Sequence, residues 1–249
     1  MPQFQDHFSF ASPNYAAYRP RYPSDLFAWL AETTPDRRRV WDCGTGSGQA
    51  AVALTAYFEE VIATDPSTSQ LASAERARGV TYVGMTAEQA ALADDSVTAV
   101  TVAQALHWFN LPSFFEEAGR VLVPGGVLAA WSYGHLRIAP RIDEIVTRFY
   151  AETVGPYWPP ERAMVEDGYR GVRFPFAELS VPPFEMSAAW TLPQLVGYLA
   201  TWSAVGRYKE AKGEDPVPAL VRELSPAWGN HAREYTVRWP LVVRAGRAV

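Results

Sequence analysis

The chain has 249 residues, and its bulk composition already narrows the classes of protein to which it can belong. Hydrophobic residues make up 48% and charged residues 20%, which is typical of a soluble globular protein with a sizeable core. The formal net charge is −5, and a nucleic-acid partner is not expected, because phosphate-tracking proteins usually carry a basic face. The single cysteine, Cys43, excludes a disulfide framework and fits a reducing compartment.

The amino terminus carries no pattern typical of export or of membrane insertion. The stretch MPQFQDHFSF lacks a basic start and a continuous apolar run. No window of about 20 apolar residues occurs elsewhere, so no membrane-spanning helix is predicted. We therefore expect a cytoplasmic protein without a membrane partner.

Predicted elements alternate between helix and strand through the first half of the chain. Residues 1–35 form an aromatic, proline-rich arm and a helix in SDLFAWLAETTP, which Ser24 is expected to cap. Strands are then predicted at Val40 and in VIATD, VTYVG, SVTAVTVAQAL and GGVLAAWSY. The helices predicted between them are GQAAVALTAYF, TSQLASAERAR and LPSFFEEAGRVL. This alternation over residues 36–133 predicts a parallel sheet with helices on both faces.

Residues 134–249 follow a different pattern and are predicted to complete the same domain. RIDEIVTRFYAETV and TLPQLVGYLATWSAV have helical spacing. EMSAAW and REYTVRWPLVVRAG are predicted to be strands that pair antiparallel at the sheet edge, and PGG at residues 124–126 is predicted to be a turn.

The stretch WDCGTGSGQA at residues 41–50 holds three glycines at alternate positions after an acid. A glycine loop between a strand and a helix brings backbone N–H groups close to a ligand. A Walker phosphate loop requires a lysine after its last glycine, and none follows here. A dinucleotide loop has the spacing G-x-G-x-x-G, and Asp42 would repel a diphosphate. The same acid suits a ligand with an ammonium group and no phosphate, such as S-adenosylmethionine.

Asp65 ends the second predicted strand and independently indicates an adenosine ligand. A carboxylate at this place can accept hydrogen bonds from both ribose hydroxyls, as it does in dinucleotide folds. The alternative is that Asp65 caps the helix that follows at PSTSQL, and the two roles are compatible.

Five motifs together resemble the class I S-adenosylmethionine-dependent methyltransferases, of the type 11-like kind, over residues 38–133. They are WDCGTGSGQ, VIATD, GMTAEQAALADDSVTAV, AQALHWF and LVPGGVLAAW. With YRPRYP and ALHWF, the wider frame resembles the branch that contains yeast trans-aconitate methyltransferase. The resemblance implies a Rossmann-like, seven-stranded, mostly parallel α/β sheet with an antiparallel edge strand. It also implies that the arm and the helical insertions of the second half form a lid.

The resemblance assigns the cofactor contacts residue by residue. Asp42 would organise the methionine end of S-adenosylmethionine, and Gln104 would lie beside that moiety. Asp65 would hold the ribose. The backbone N–H of Ala87 would meet the adenine, while Thr86 stands where many relatives have an Asp. The remaining expected contacts, in the glycine loop and at the adenine, are Gly44, Thr45, Gly46, Gly48 and Glu88.

His107 and two arginines are the candidates on the acceptor side. His107 could remove a proton from a hydroxyl or a carbon acid, and the alternative is that His107 and Trp108 only wall the pocket. Arg19 and Arg21 lie in the rigid segment YRPRYP. Either could bind an acidic acceptor, or the cofactor's own carboxylate, in bidentate geometry. The alternative is that they form ion pairs with surface acids.

Aromatic residues supply the other acceptor-side candidates. Those of the arm could surround the sulfonium, where aromatic faces favour a cation, or could simply pack as an ordinary arm. They are Phe8, Phe10, Tyr15, Tyr18 and Tyr22. Tyr18 is also a candidate for contact with the acceptor. Further candidates for the pocket wall are Tyr157, Trp158, Trp190 and Trp202. No metal site is expected, because no cluster of His, Cys and Asp has ligand spacing.

The sequence thus predicts an S-adenosylmethionine-dependent methyltransferase that acts on a small molecule. The resemblance to the trans-aconitate branch points to a carboxylated acceptor. Methylation of RNA or protein is one alternative, although AQALHWF lacks an Asn-Pro-Pro-Tyr-type motif. A cofactor-binding regulator without turnover is the other.

Overall fold

The structure is a computed structural model that describes residues 20–249. The helices are α1 (Ser24–Thr33), α2 (Gln49–Leu54), α3 (Thr68–Ser73), α4 (Leu111–Val121), α5 (Pro140–Arg148), α6 (Arg162–Glu166), α7 (Leu192–Ala200), α8 (Ser203–Lys212) and α9 (Val217–Trp228). The strands are β1 (Arg39–Cys43), β2 (Glu60–Thr64), β3 (Val80–Val83), β4 (Val97–Ala103), β5 (Leu122–Tyr133), β6 (Ala177–Glu178), β7 (Glu185–Trp190) and β8 (Tyr235–Arg247). Short 3-10 turns lie at Leu106–Trp108 and Gly155–Tyr157, and a π-helical turn at Phe149–Thr153 extends α5.

These strands form one mixed sheet in the order β3-β2-β1-β4-β5-β8-β6, with β7 paired to β8 outside that path. Strands β1 to β5 run parallel, and β8 runs antiparallel to β5, β6 and β7. The prediction of a Rossmann-like, mostly parallel sheet with an antiparallel edge is confirmed. The predicted antiparallel pair is β7 with β8. The described sheet has eight strands, because the short β6 and β7 both join β8.

Apolar side chains cover both faces of the parallel strands. One face carries Trp41 and packs against α4 through Phe114. The opposite face packs against α1 and α2 through Leu30 and Leu54, with Trp131 buried between them. Because side chains alternate along each strand, the sheet contributes to two separate cores, one on each face. This agrees with the prediction of helices on both faces.

A third core lies beyond the carboxyl end of β5. Strand β8 pairs with β7 from Tyr235 to Pro240 and reaches β5 only at Leu241, so this two-stranded ribbon extends past the parallel strands. Helices α5, α7, α8 and α9 pack on the ribbon around the buried side chains of Trp228 and Trp239. The helical insertions thus stand at the edge of the sheet where a lid is predicted.

Several elements differ locally from the prediction. TSQLASAERAR is helical only as far as Ser73. Ser24 is the first residue of α1, and the N-cap is Pro23, so Ser24 does not cap the helix. TLPQLVGYLATWSAV forms two helices, because the chain bends at Thr201 and Trp202 between α7 and α8. Residues 124–126 lie within β5, at a bulge where the pairing register with β4 shifts, and do not form a separate turn before it.

In the described part of the chain, the lengths of the helices agree with the expectation that no helix spans a membrane. None of the helices within residues 20–249 is long and apolar enough to cross a bilayer. The division of the chain into residues 1–35, 36–133 and 134–249 stays a prediction.

Candidate functional site

The strand order reverses between β1 and β4, and ligands bind parallel sheets at the carboxyl ends of strands at such a point. The glycine loop follows β1, and the 3-10 turn Leu106–Trp108 follows β4. The two loops touch, since a Cβ added at Gly44 would lie 2.6 Å from the Cβ of Ala105. The stretches WDCGTGSGQA and AQALHWF are therefore brought together at one edge.

The carboxylate of Asp42 is completely buried beneath this edge. The Thr45 hydroxyl donates to its Oδ2 at 2.6 Å, and the Thr101 hydroxyl donates to its Oδ1 at 2.7 Å. Burial raises the pKa of Asp42 to about 6, and the two hydroxyl hydrogen bonds oppose that rise. The carboxyl group would consequently gain from a nearby cation, which favours its ionised form.

The glycine loop has a shape that side chains would not allow. Gly44 and Gly48 have φ angles of +69° and +82°. A Cβ at Gly48 would lie 2.1 Å from the Tyr82 hydroxyl, so both steric space and backbone conformation require glycine there. A Cβ added at Gly46 would have Gln70 Oε1 as its nearest neighbour in the described chain, at 3.9 Å. Gly46 is therefore the open point of the loop.

Asp65 follows β2 and joins the end of that strand to the glycine loop. Its Oδ2 accepts a hydrogen bond from the Gly46 N–H and its Oδ1 accepts one from the Ser67 N–H, both at 2.9 Å. The N-cap of α3 is Ser67, whose hydroxyl accepts a hydrogen bond from the Gln70 N–H. The alternative role of Asp65 as the helix cap is therefore wrong.

The loop predicted at the adenine is fixed to α4. Ala87 is buried, and the carboxylate of Glu88 accepts a hydrogen bond from the Asn110 N–H at 2.9 Å. At the far end of the loop, Glu117 accepts the Ala90 N–H at 2.6 Å. The bond from Arg120 holds the pKa of Glu117 below its usual range, so this anchor stays ionised.

Gln104 lies directly after β4 in a left-handed conformation, with φ of +57°. Its side-chain Nε2 donates to the Tyr133 carbonyl at 3.1 Å, and its N–H donates to the Trp131 carbonyl at 2.9 Å. Such a conformation is costly for a residue with a side chain, and it recurs at functional sites. Gln104 thus links the carboxyl ends of β4 and β5.

His107 lies in the turn after Gln104, largely shielded from solvent. Its Nδ1 is 3.2 Å from the hydroxyl of Tyr169, and its ring centre is 4.8 Å from that of Trp108. Burial, with the positive charge of Arg162, lowers the pKa of His107 to about 3. A weakly basic imidazole favours the interpretation in which His107 and Trp108 wall the pocket, and the role as a base stays a prediction.

Arg162 and Tyr150 belong to the same region and were not found from the sequence. The Arg162 guanidinium lies 4.9 Å from the ring centre of Trp158 and 5.7 Å from that of Tyr150. Its Nε donates to the Tyr150 hydroxyl at 3.0 Å. The available signal was the run GPYWPPER, in which an arginine follows aromatic and proline residues, but no periodicity marks it.

The predicted pocket aromatics divide into two groups. Trp158 and Trp202 pack on Tyr150, with ring centres 4.8 and 5.5 Å from it. Trp190 belongs to the core around β7 and β8, and Tyr157 packs against Tyr208 of α8. The geometry thus brings two of the four predicted residues to Tyr150, and one of them, Trp158, also contacts Arg162.

The predicted arm residues are only partly described. The Arg21 side chain is 72% exposed and pairs with Glu75 at 3.3 Å, which favours the alternative of a surface ion pair. Tyr22 packs edge-on against Trp131, with ring centres 5.6 Å apart. The arm residues that lie outside the described residues are Phe8, Phe10, Tyr15, Tyr18 and Arg19, and their roles stay predictions.

Residues 20–249 contain no group of three or more His, Cys, Asp or Glu side chains that could hold a metal ion.

Known proteins resemble this chain in sequence over the site and well beyond it. Residues 41–130 match the family model described as a methyltransferase domain. A Dictyostelium discoideum protein named as a methyltransferase is 35% identical over 230 residues, which cover 91% of this chain and 88% of the relative. A Saccharomyces cerevisiae protein named as an S-adenosylmethionine-dependent methyltransferase is 31% identical over 134 residues, or 50% of this chain and 46% of the relative.

A solved structure is similar in both sequence and fold. It is described as a type II methyltransferase from Anaeromyxobacter dehalogenans, and it is 45% identical to this chain with a TM-score of 0.88. The match covers 93% of this chain and 98% of that one. Similarity across almost the whole length of both chains settles the class indicated by the glycine loop: the chain belongs to the class I S-adenosylmethionine-dependent methyltransferases, and its cofactor is S-adenosylmethionine.

Proposed function

We propose that this methyltransferase acts on a small-molecule acceptor bound beside Gln104 and His107. The observation that carries the proposal is the set of aromatic side chains at the carboxyl ends of β4 and β5. Tyr169 and Tyr150 are buried there, and Trp158 is half-buried. Closely packed aromatic side chains suit a compact organic molecule. The net charge of −5 weighs against an RNA acceptor.

The residues around the glycine loop fit the cofactor by their chemistry. Asp42 supplies a buried negative charge below the loop, which suits the cationic methionine end. The loop is open at Gly46, where a ligand can approach the backbone. We propose that Asp65 holds the ribose hydroxyls and that the Ala87 N–H meets the adenine. Glu88 supports that contact by fixing the loop to α4.

The protein's contribution to the reaction is positioning and exclusion of water. When bound, S-adenosylmethionine supplies an electrophilic methyl group on a sulfonium. Alignment of the acceptor by Gln104 and the aromatic side chains can contribute about 7–11 kcal/mol through effective molarity. A carboxylated acceptor, and membership of the trans-aconitate branch, are the finer parts of the proposal, and they rest on the resemblance of YRPRYP and ALHWF.

The acceptor class is tested by the fate of a labelled methyl group. The protein is incubated with cofactor radiolabelled in the methyl group and with separate small-molecule, RNA and protein fractions of a cell extract. We expect label only in the small-molecule fraction, and none with Gly44→Val, which cannot form the loop. Label in RNA or protein would overturn the acceptor class. Intact cofactor binding without transfer to any fraction would favour a regulator.

Asp65→Ala should weaken cofactor binding by about 1.5–3 kcal/mol, the range for hydrogen bonds to a charged group. Calorimetric titration of the folded variant measures this loss. Asp36→Ala is the matched control, because Asp36 is a carboxylate that pairs with Arg38 away from the site. Equal affinities for the wild type and Asp65→Ala would remove Asp65 from the ribose site.

Cofactor affinity should rise as the pH increases toward 6 and then level off. The pKa of Asp42 in the free protein is about 6, and a cationic ligand favours the ionised carboxylate. Binding below pH 6 therefore releases a proton, and affinity changes by up to about tenfold per pH unit. Calorimetry between pH 5 and 8 checks this. Asp42→Asn should lose the dependence, and a wild-type affinity independent of pH would refute the role of Asp42.

His107→Phe should lower kcat by less than about tenfold, because a wall residue can be replaced by another ring. A general base would instead contribute about 10²–10⁴. The measurement is steady-state kinetics with an acceptor identified as above, together with cofactor affinity. A loss of kcat in the larger range with unchanged cofactor affinity would show that His107 is the base.

A further inference from the structure

Arg162 is a cation without an ion pair among residues 20–249. The one hydrogen bond of its side chain in that part of the chain runs from Nε to the Tyr150 hydroxyl. The terminal nitrogens of the guanidinium are therefore not engaged by a described residue. A guanidinium presents paired N–H groups that match the two oxygens of a carboxylate or a phosphate.

The charge of Arg162 reaches the acceptor side of the site. It contributes to the lowered pKa of both His107 and His135, although burial is the larger cause for each. His107 follows β4, and His135 follows β5. Helix α6, which carries Arg162, packs against the turn Leu106–Trp108. The guanidinium thus stands beside the carboxyl ends of the two strands that frame the proposed acceptor.

Aromatic rings hold this guanidinium in place. Trp158 and Tyr150 lie against it, and Trp202 packs on both, with ring centres 5.6 and 5.5 Å away. Cation–π contacts stabilise the charged group without neutralising it. The two rings also shield part of the guanidinium from solvent, so the attraction to a bound anion is screened less than at an open surface.

One acid lies close to this cluster, one helical turn after Arg162 in α6. The Tyr150 hydroxyl accepts a hydrogen bond from Arg162 Nε and donates to the carboxylate of Glu166, so it bridges two side chains that form no direct ion pair. Glu166 is exposed, and its charge is accordingly screened by solvent. Glu166 therefore competes only weakly for Arg162, and an anion can still bind the terminal nitrogens of the guanidinium.

We infer that Arg162 binds an oxyanion of the methyl acceptor, either a carboxylate or a phosphate. The inference rests on the proposed function, because it concerns the acceptor side of the same site. According to this inference, Arg162 of α6 is the residue that selects acidic acceptors. The residue expected from the sequence within the described chain, Arg21, is instead paired with Glu75 at the surface.

The test uses the full chain loaded with S-adenosylhomocysteine and three probes of similar shape: benzoate, phenyl phosphate and the neutral benzamide. Binding is followed by the NMR shift of the Trp158 indole N–H during titration. We expect at least one of the two anions to bind in preference to benzamide. Tighter binding of benzoate would identify a carboxylate subsite, and tighter binding of phenyl phosphate a phosphate subsite.

Variants assign the selectivity to the guanidinium. Arg162→Gln should weaken anion binding about 10- to 100-fold, and Arg162→Lys should have an intermediate effect, since it keeps the charge but not the fork. Glu166→Gln should tighten binding by about threefold, because it removes a competing charge. Arg170→Gln is the control, because Arg170 is 81% exposed and pairs with Asp167.

The inference is overturned if neither anion binds the wild type, if benzamide binds as well as both anions, or if Arg162→Gln binds them normally. The test requires no methyl transfer, so failure of the proposed function would appear separately, as a lack of label in the small-molecule fraction. Unchanged cofactor affinity and thermal unfolding of Arg162→Gln would show that a loss of anion binding is not due to misfolding.

Discussion

The site depends on one buried carboxylate. Asp42 lies in β1, accepts a hydroxyl hydrogen bond from Thr45 in the glycine loop and another from Thr101 in β4. The bond from Thr101 joins the two strands at which the sheet order reverses. The bond from Thr45 ties the glycine loop to β1. Because a buried charge is costly, the carboxyl group is only partly ionised near pH 6. In the proposed complex, the cationic cofactor would favour the ionised form of this carboxylate.

The acceptor side is built on a different principle. The ribbon of β7 and β8 and its helices form a core beyond the parallel strands, and this core supports the irregular segment that carries Tyr150 and Arg162. Aromatic packing fixes the direction of the guanidinium, and burial keeps His107 neutral. We propose that the parallel sheet provides the cofactor side of the site and that the added helical layer selects the acceptor.

Features that depend on neighbouring residues in the sequence could be predicted, and features that depend on contacts between distant residues could not. The placement of Asp42, the glycines and Asp65 at the carboxyl ends of strands could be predicted, because strand ends and glycine spacing leave local patterns. Thr101 was missed, since its contact with Asp42 depends on the β1–β4 register. Arg162 was missed as well, because its segment has no regular periodicity and its neighbours meet only through tertiary packing. For the same reason the sequence leaves open whether Arg21 binds the acceptor or a surface acid, since its partner Glu75 lies far along the chain.

The most direct test of this account is a crystal structure of the protein with S-adenosylhomocysteine. We expect the amino-acid end of the ligand to lie over Asp42 and the open point of the loop at Gly46. We expect the ribose hydroxyls to meet Asp65 and the sulfur to face the side of the site where His107 and Arg162 stand. A ligand whose ribose lies away from Asp65, or whose sulfur points away from that cluster, would contradict it.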